Sequence, residues 1–365
     1  YRIDRTMILF VHTDDGKVAY SDRAALDALL KGIREEVTMG AETDKVERMF
    51  NIAIETSTDG THMKLNQRAY VENMMRDHKI DPRDWRAMLP PDLDMDKECG
   101  TELLPREGIS EYLSLLQTLH WVARCTRWDI QTGVTLLSQA SSAPRQSHMK
   151  LLRRLAQYTH ATRGRSLLYK KTPGARMRTL DVFVDASAGH ASKNRNLCGV
   201  TVFIDGNLID WGCKTQPYLK LSSAEGEVCG VAIGATHVRY WQQLIEEVEG
   251  VGVLSNLYTD AEAAKQFSAQ PIHKSSMRHI YLKYTFVRQW IENGYMHLSH
   301  YPGVKNTADV LTKVLGEKRQ RELYRAGVPE SEKEDGAKLE ISEDESEDQG
   351  GTAHQGRPSK MPRRG

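Results

Sequence analysis

Four acids in the second half of the chain stand at the expected ends of secondary-structure elements. Asp185 closes the strand-like run "TLDVFVDAS", and Glu227 sits in the first turns of "SAEGEVCGVAIGATHVRYWQQLIEEV". Asp260 ends the strand of "NLYTDA", and Asp309 opens a terminal helix near "NTADVLTKVL". Singly, each has a structural explanation as a turn residue or as an acid favoured at a helix start. Together they set the order D–E–D–D on a β-β-β-α-β-α frame. Four carboxylates at one end of a sheet would repel one another unless a divalent cation neutralised them. A pair of Mg²⁺ ions, binding a phosphate and activating water, is the usual use of such a site.

The helix offers two glutamates, Glu225 and Glu227, and positions two apart lie about 200° apart around the axis. From 227 the helical repeat runs through Val231, Ala235, Val238, Trp241 and Ile245, an apolar stripe expected to lie on a sheet. From 225 it runs through Cys229, Ala232, Thr236, Arg239 and Gln243, which is more polar. Glu227 is therefore expected at the site and Glu225 in solvent. A second acidic pair, Asp14 and Asp15, ends the apolar run of "ILFVHTDDGKVAY", where Asp15-Gly16 is expected to close a tight hairpin.

The elements that must position these acids fall into four segments. Residues 1–80 read as the opening hairpin, a helix at "DRAALDALLKGIREEV", a strand pair around "ERMFNIAIETSTDGTHMKLN" and a helix at "QRAYVENMMRDHKI". Residues 81–175 are mainly helical after a proline- and acid-rich loop, with Tyr112, Leu115, Leu116, Leu119 and Val122 at helical spacing. "KKTPGARMR" reads as a linker. Residues 176–328 are mixed α/β, with Asp205-Gly206 expected to close a hairpin between two strands and Ile280, Tyr284, Val287 and Ile291 striping a later helix. Residues 329–365 carry too few large apolar side chains to offset the entropy of ordering, and are expected to be disordered.

Composition narrows the function classes. The chain has 365 residues and a net charge of +1. That balance hides an acidic run, residues 330–348, with ten acids and two lysines, followed by a basic end with four bases. Without both, 44 basic and 39 acidic residues remain, about +5, which suits phosphate-bearing partners weakly. No apolar run is long enough to cross a bilayer, and no signal-peptide pattern opens the sequence. None of the five cysteines forms a C-x-x-C pair, which argues against a zinc ribbon and for reduced, buried thiols in a cytoplasmic or nuclear compartment. Trp121, Trp128, Trp211, Trp241 and Trp290, with Met74 and Met75, read as packing residues.

Several blocks, in order, resemble the C-terminal part of the Pol polyprotein of copia-type LTR retrotransposons, over roughly residues 5–320. "SLLQTLHWVARCTRWDI", "LIDWGCKTQPYLKLSSAEGEV", "YTDAEAAKQF", "RHIYLKYTFVRQWIENG" and "NTADVLTK" carry the resemblance. It implies the end of a reverse transcriptase palm, a helical connection, and an RNase H-like mixed-sheet α/β domain. It places that family's four metal-binding acids on Asp185, Glu227, Asp260 and Asp309. It also implies hydrolysis of the RNA strand of RNA/DNA hybrids with two Mg²⁺ (or Mn²⁺) ions; the lack of a long apolar run gives no expectation of a membrane partner. "HTDD" stands where the family writes Y-V-D-D, so Asp14 and Asp15 would be a remnant of the polymerase site. His12 and Thr13 depart from that motif, and the palm strand bearing the first catalytic Asp is absent from this sequence. Polymerisation by this chain alone is therefore not expected, and upstream Pol segments would be partners. Arg278, His279 and Lys283 lie on a helix that could lean on a phosphate backbone or form a solvated face. His300 could act near the product phosphate or end a strand. The alternatives are an inactive nucleic-acid-binding relic and a strand-transfer enzyme; the D–E–D–D order disfavours the latter.

Overall fold

A computed structural model describes residues 2–3, 7–12, 15–40, 42–43, 45–172, 177–191, 195–216, 223–260 and 281–328. The chain opens with a three-stranded antiparallel sheet of β1 (Arg2–Ile3), β2 (Met7–His12) and β3 (Asp15–Tyr20). Its register pairs His12 with Asp15 and Val11 with Gly16. Asp15-Gly16 thus begins β3 instead of closing the turn, a correction to the hairpin expectation. Cross-strand matching of Leu9 with Val18 and Met7 with Tyr20 runs the ladder to its end, and pairing outranks the dipeptide. Helix α1 (Arg23–Glu36) starts behind Asp22, whose carboxylate accepts from the Ala24 amide at 2.9 Å.

A second antiparallel sheet joins β4 (Arg48–Met49), β5 (Ile52–Thr56), β6 (His62–Asn66) and the distant β7 (Leu167–Lys170). Between β4 and β5, Phe50 and Asn51 hold φ of 50° and 63°, the positive pair that a type I′ hairpin turn demands. Between β6 and β7 lie α2 (Arg68–Asp77), α3 (Arg106–Cys125), α4 (Gln131–Ser138) and α5 (Gln146–Ala161). The spaced residues Tyr112, Leu115, Leu116, Leu119 and Val122 are all buried in α3, and Met74 and Met75 are buried in α2. Trp121 is instead 38% exposed, because it lies across the helix from that stripe. Trp128 and Trp211 are fully inside.

The expected mixed sheet follows. It is built from β8 (Met177–Ala191), β9 (Arg195–Ile204), β10 (Asn207–Thr215), β11 (Gly252–Thr259) and β12 (His297–His300), in the order β10-β9-β8-β11-β12. The first three pair antiparallel, and β11 runs parallel to both β8 and β12. Asp205 and Gly206, at φ of 49° and 78°, close the β9–β10 hairpin as predicted. Alternation sorts the two faces. Leu180, Val182, Val184, Val200 and Val202 pack under α6 (Ser223–Glu249) and α7 (Tyr281–Glu292). Leu197, Phe203, Leu208 and Trp211 join the core of α3–α5 on the other face, together with α8 (Glu317–Gly327).

Asp309 was expected to open a terminal helix, but it lies in a 3₁₀ turn, Thr307–Leu311, and α8 begins only at Glu317. Side chains pin that turn to the sheet. Asn306 donates to the Val184 carbonyl at 2.9 Å, and the Thr201 and Thr307 hydroxyls are 2.7 Å apart. No helix among the described residues is long and apolar enough to cross a membrane. Three of the five cysteines are buried, while Cys125 is half-buried and Cys99 is exposed; none is in a disulfide. Residues 329–365, and residues 173–176 of the linker stretch, lie outside the described residues.

Candidate metal centre

The order of strands brings the dispersed acids together. Parallel pairing of β8 with β11 sets Val184 opposite Thr259, so Asp185 within β8 and Asp260 just after β11 become neighbours. The pinned 3₁₀ turn adds Asp309 from the sheet face that α8 covers. One carboxylate oxygen from each of Asp185, Asp260 and Asp309 lies within 4.8 Å of the other two. Three hard oxygen donors at that separation have the chemistry of a divalent-cation site. Burial pushes the Asp185 carboxyl up to about 6, and the charges of Asp309 and Asp260 push the same way.

Glu227, in the first turns of α6, completes the acidic edge without joining the tight triad. It is half-buried, and burial followed by the charge of Asp260 raises its carboxyl above the usual range. The stripe it heads is inward, since Val231, Ala235, Val238 and Ile245 are all buried. Glu225, expected in solvent, is 3% exposed. The first turns of α6 are buried on the Glu225 side as well: Val228, Cys229 and Ala232 are buried too, and the first exposed residue after them is Thr236. An added Cβ at Gly226 would come within 2.6 Å of the Asn196 amide, which shows how closely β9 approaches this turn.

Two bases complete the centre. Lys313 Nζ lies 2.6 Å from Asp309 Oδ1 and 3.6 Å from Asp185 Oδ1. Although burial opposes it, the charges of these two acids hold the ammonium above its usual range. Thr312 donates its hydroxyl to Asp185 Oδ2. Arg319, from α8, donates to the carbonyls of Val304 and Gly303 and reaches Asp309 Oδ2 at 3.5 Å. Sequence reasoning missed both bases, because Lys313, four residues after Asp309, reads as an ordinary helix-surface partner. The sequence did hold one signal: Lys313 ends the "NTADVLTK" block.

Two glycines make room for this packing. An added Cβ at Gly303 would sit 2.8 Å from Asp260 Oδ2. At Gly199, which pairs with Asp185 across the strands, it would meet Leu311 Cβ at 2.7 Å and the Ala308 carbonyl oxygen at 2.8 Å. Backbone and Cβ cannot rotate away, so the turn bearing Asp309 must shift. Gly199→Ala is expected to cost about 1–3 kcal/mol of stability, read as a lower thermal midpoint, and to weaken divalent-ion binding in calorimetric titration.

Other residues singled out in the sequence lie elsewhere. Asp14, Arg278 and His279 are outside the described residues, as is the side chain of Asp15. Lys283 is half-buried on α7, with Nζ 3.4 Å from the Cys229 sulfur, so it packs against the start of α6. His300 is the exposed last residue of β12, at a strand end.

No family model matches the chain. Curated relatives do. Over 311 residues it is 26% identical to the retrovirus-related Pol polyprotein from transposon RE1 of Arabidopsis thaliana, covering 84% of this chain and 20% of that protein. Over 314 residues it is 22% identical to the Pol polyprotein from transposon TNT 1-94 of Nicotiana tabacum, covering 85% of this chain and 23% of that protein. The chain thus spans about a fifth of the length of these relatives. The resemblance to copia-type Pol polyproteins implied by the motifs is borne out. Among solved structures, RNase H1 from Halobacterium salinarum is 14% identical and covers 37% of this chain and 94% of its own, with a TM-score of 0.28.

Proposed function

We propose that this chain is the RNase H-type endonuclease portion of a retrotransposon Pol polyprotein, hydrolysing the RNA strand of RNA/DNA hybrids. The observation that carries the reading is the convergence of Asp185, Asp260 and Asp309 at one end of the mixed sheet, within 4.8 Å. Asp185, Glu227, Asp260 and Asp309 would hold two Mg²⁺ (or Mn²⁺) ions. Bound there, such ions supply an activated water and neutralise charge at the leaving 3′ oxygen.

The chain's own residues prepare the site. Thr312 fixes the rotamer of Asp185, and Arg319 fixes that of Asp309 while tying it to the backbone at Gly303 and Val304. Lys313 sets a positive charge between two of the acids, which lowers their mutual repulsion before any cation arrives. The same ammonium can turn to an incoming phosphate oxygen once the acids have other partners. Recognition of the hybrid would rest on backbone shape and 2′-hydroxyls.

The test is cleavage of an end-labelled RNA/DNA hybrid by the full chain, with single-stranded RNA and duplex DNA as controls. Mg²⁺-dependent nicking of the hybrid alone, stopped by a chelator, is the expected result. Glu227→Gln should abolish most of it without lowering the thermal midpoint. Tight hybrid binding with no cleavage in either Mg²⁺ or Mn²⁺ would overturn the nuclease reading in favour of a binding relic.

A further inference from the structure

The N-terminal end of α2 forms a second polar site that the acidic cluster does not explain. Arg48, Asn51, Asn66, Gln67, Arg68 and Glu72 line a cleft of about 220 Å³ there, with Ala53 and Ala69. That is smaller than the ~300–1,000 Å³ typical of a small-molecule pocket, so it suits a single group better than a whole cofactor. Gln67, the residue preceding α2, is 3% exposed. Its Oε1 accepts from the Thr126 hydroxyl at 2.9 Å, but its Nε2 donor has no partner. A buried amide donor left open is uncommon and calls for an acceptor.

The surroundings state what that acceptor should be. Asn66 Oδ1 takes the first amide of the helix, from Arg68, at 3.2 Å. Among the described residues no side chain caps the following amides, of Ala69 and Tyr70, and a helix start with open N–H groups favours an anion. Arg48 brings a guanidinium with no carboxylate partner among the described residues. Glu72 also lines the cleft, but Arg163 and Arg68 hold its carboxylate at 3.1 and 3.3 Å and keep it below its usual range. The tight β4–β5 turn, with Phe50 and Asn51 both at positive φ, carries Asn51 to the rim. A water could accept from Gln67, but it would leave the charge of Arg48 unanswered.

We propose that this cleft binds a phosphate group, contributed by the backbone of a nucleic-acid strand. The inference rests on α2 and its neighbours and does not depend on catalysis at the acidic cluster.

Two arms test it on the full chain. In the first, inorganic phosphate is titrated against chloride at matched ionic strength and the thermal midpoint is followed. Phosphate should stabilise the wild type, and Arg48→Gln/Arg68→Gln should lose that response. A control with Arg23→Gln/Lys97→Gln, both exposed and outside the cleft, should keep it. In the second, a labelled RNA/DNA hybrid is bound in the absence of divalent ions. The cleft variant should bind about 3–10-fold more weakly at low salt, with a slope of log K on log salt smaller by about 1. Phosphate stabilisation with unchanged hybrid affinity would keep the phosphate site and overturn its assignment to a strand, pointing to free phosphate or a mononucleotide. No response to phosphate in the wild type would overturn the site itself.

Discussion

Asp185→Asn is expected to reduce hybrid cleavage by roughly 10²–10³-fold or more, while leaving the protein at least as stable as the wild type. The two halves of that expectation have one cause. Asp185 is 6% exposed and shares its end of the sheet with Asp260 and Asp309. Burial and those charges raise its carboxyl from 3.8 to about 6. A group with a raised folded-state value costs nothing while protonated in both states. The cost builds between about pH 4 and 6, and is fully present above that. Converted by linkage it reaches about 3 kcal/mol at neutral pH, a net figure that already includes the opposing pull of Lys313 and Thr312. The amide of Asn can still accept from Thr312, and it carries no charge to crowd. Without divalent ions, the wild type should therefore lose stability through pH 4–6 relative to the variant, as thermal melts across pH would show. With Mg²⁺ added the wild type should regain it and the variant should not respond. A variant that unfolds more easily than the wild type at pH 7 without metal would refute this account.

The largest loss of stability is expected far from that centre, from Asp129→Ala. Asp129 has no exposure, and it accepts a two-pronged pair of bonds from Arg127 at 2.8 and 2.9 Å. Arg165 adds a third at 2.6 Å and donates to the Tyr158 hydroxyl. Arg127 also donates to the Thr159 and Thr162 carbonyls, at 3.0 and 3.2 Å. Removing the carboxylate strands two guanidinium groups, one wholly and one largely buried. Breaking a buried pair in this way costs about 3–5 kcal/mol, or a fall of about 10 °C in thermal midpoint. Against the burial penalty, Arg127 and then Arg165 hold the Asp129 carboxyl well below the usual range. A depressed value stabilises the fold above the unfolded-state value of 3.8, and that contribution is lost as the pH falls below it. Acid melts should separate the wild type from Asp129→Asn near neutral pH and bring them together at low pH.

Local rules read from the sequence held where an element has one wet face and one dry face. The α3 stripe and the Asp205-Gly206 turn follow from spacing and dipeptide chemistry alone. They failed where a neighbour removed the wet face. Glu225 was placed in solvent by helical periodicity, yet β9 and α7 close over the first turns of α6. Asp309 was placed at a helix start, but the sheet holds its segment as a single tight turn by side-chain bonds that no local window contains. Of the centre itself, the types and order of the acids were legible. The roles of Lys313 and Arg319 were not: a base four residues from an acid looks the same on a surface as in a site, and Arg319, ten residues from Asp309, is brought to it only by the fold.

The sheet of β8–β12 has no free face on the side of Phe203, Leu208 and Trp211, since α3, α4 and α8 bury it. Trp211 donates to the Ala123 carbonyl at 2.8 Å, and Thr132 to the Val310 carbonyl at 2.6 Å. Cutting the chain between β7 and β8 would lay that face bare, so a fragment beginning at Met177 should precipitate or recruit a solubilising partner. Heating the intact chain should give one endotherm covering both the helices and the mixed sheet, because neither can melt while the other keeps its packing. Inheritance is constrained in the same way. A crossover that exchanged the mixed sheet alone would have to bring a matching helical half with it.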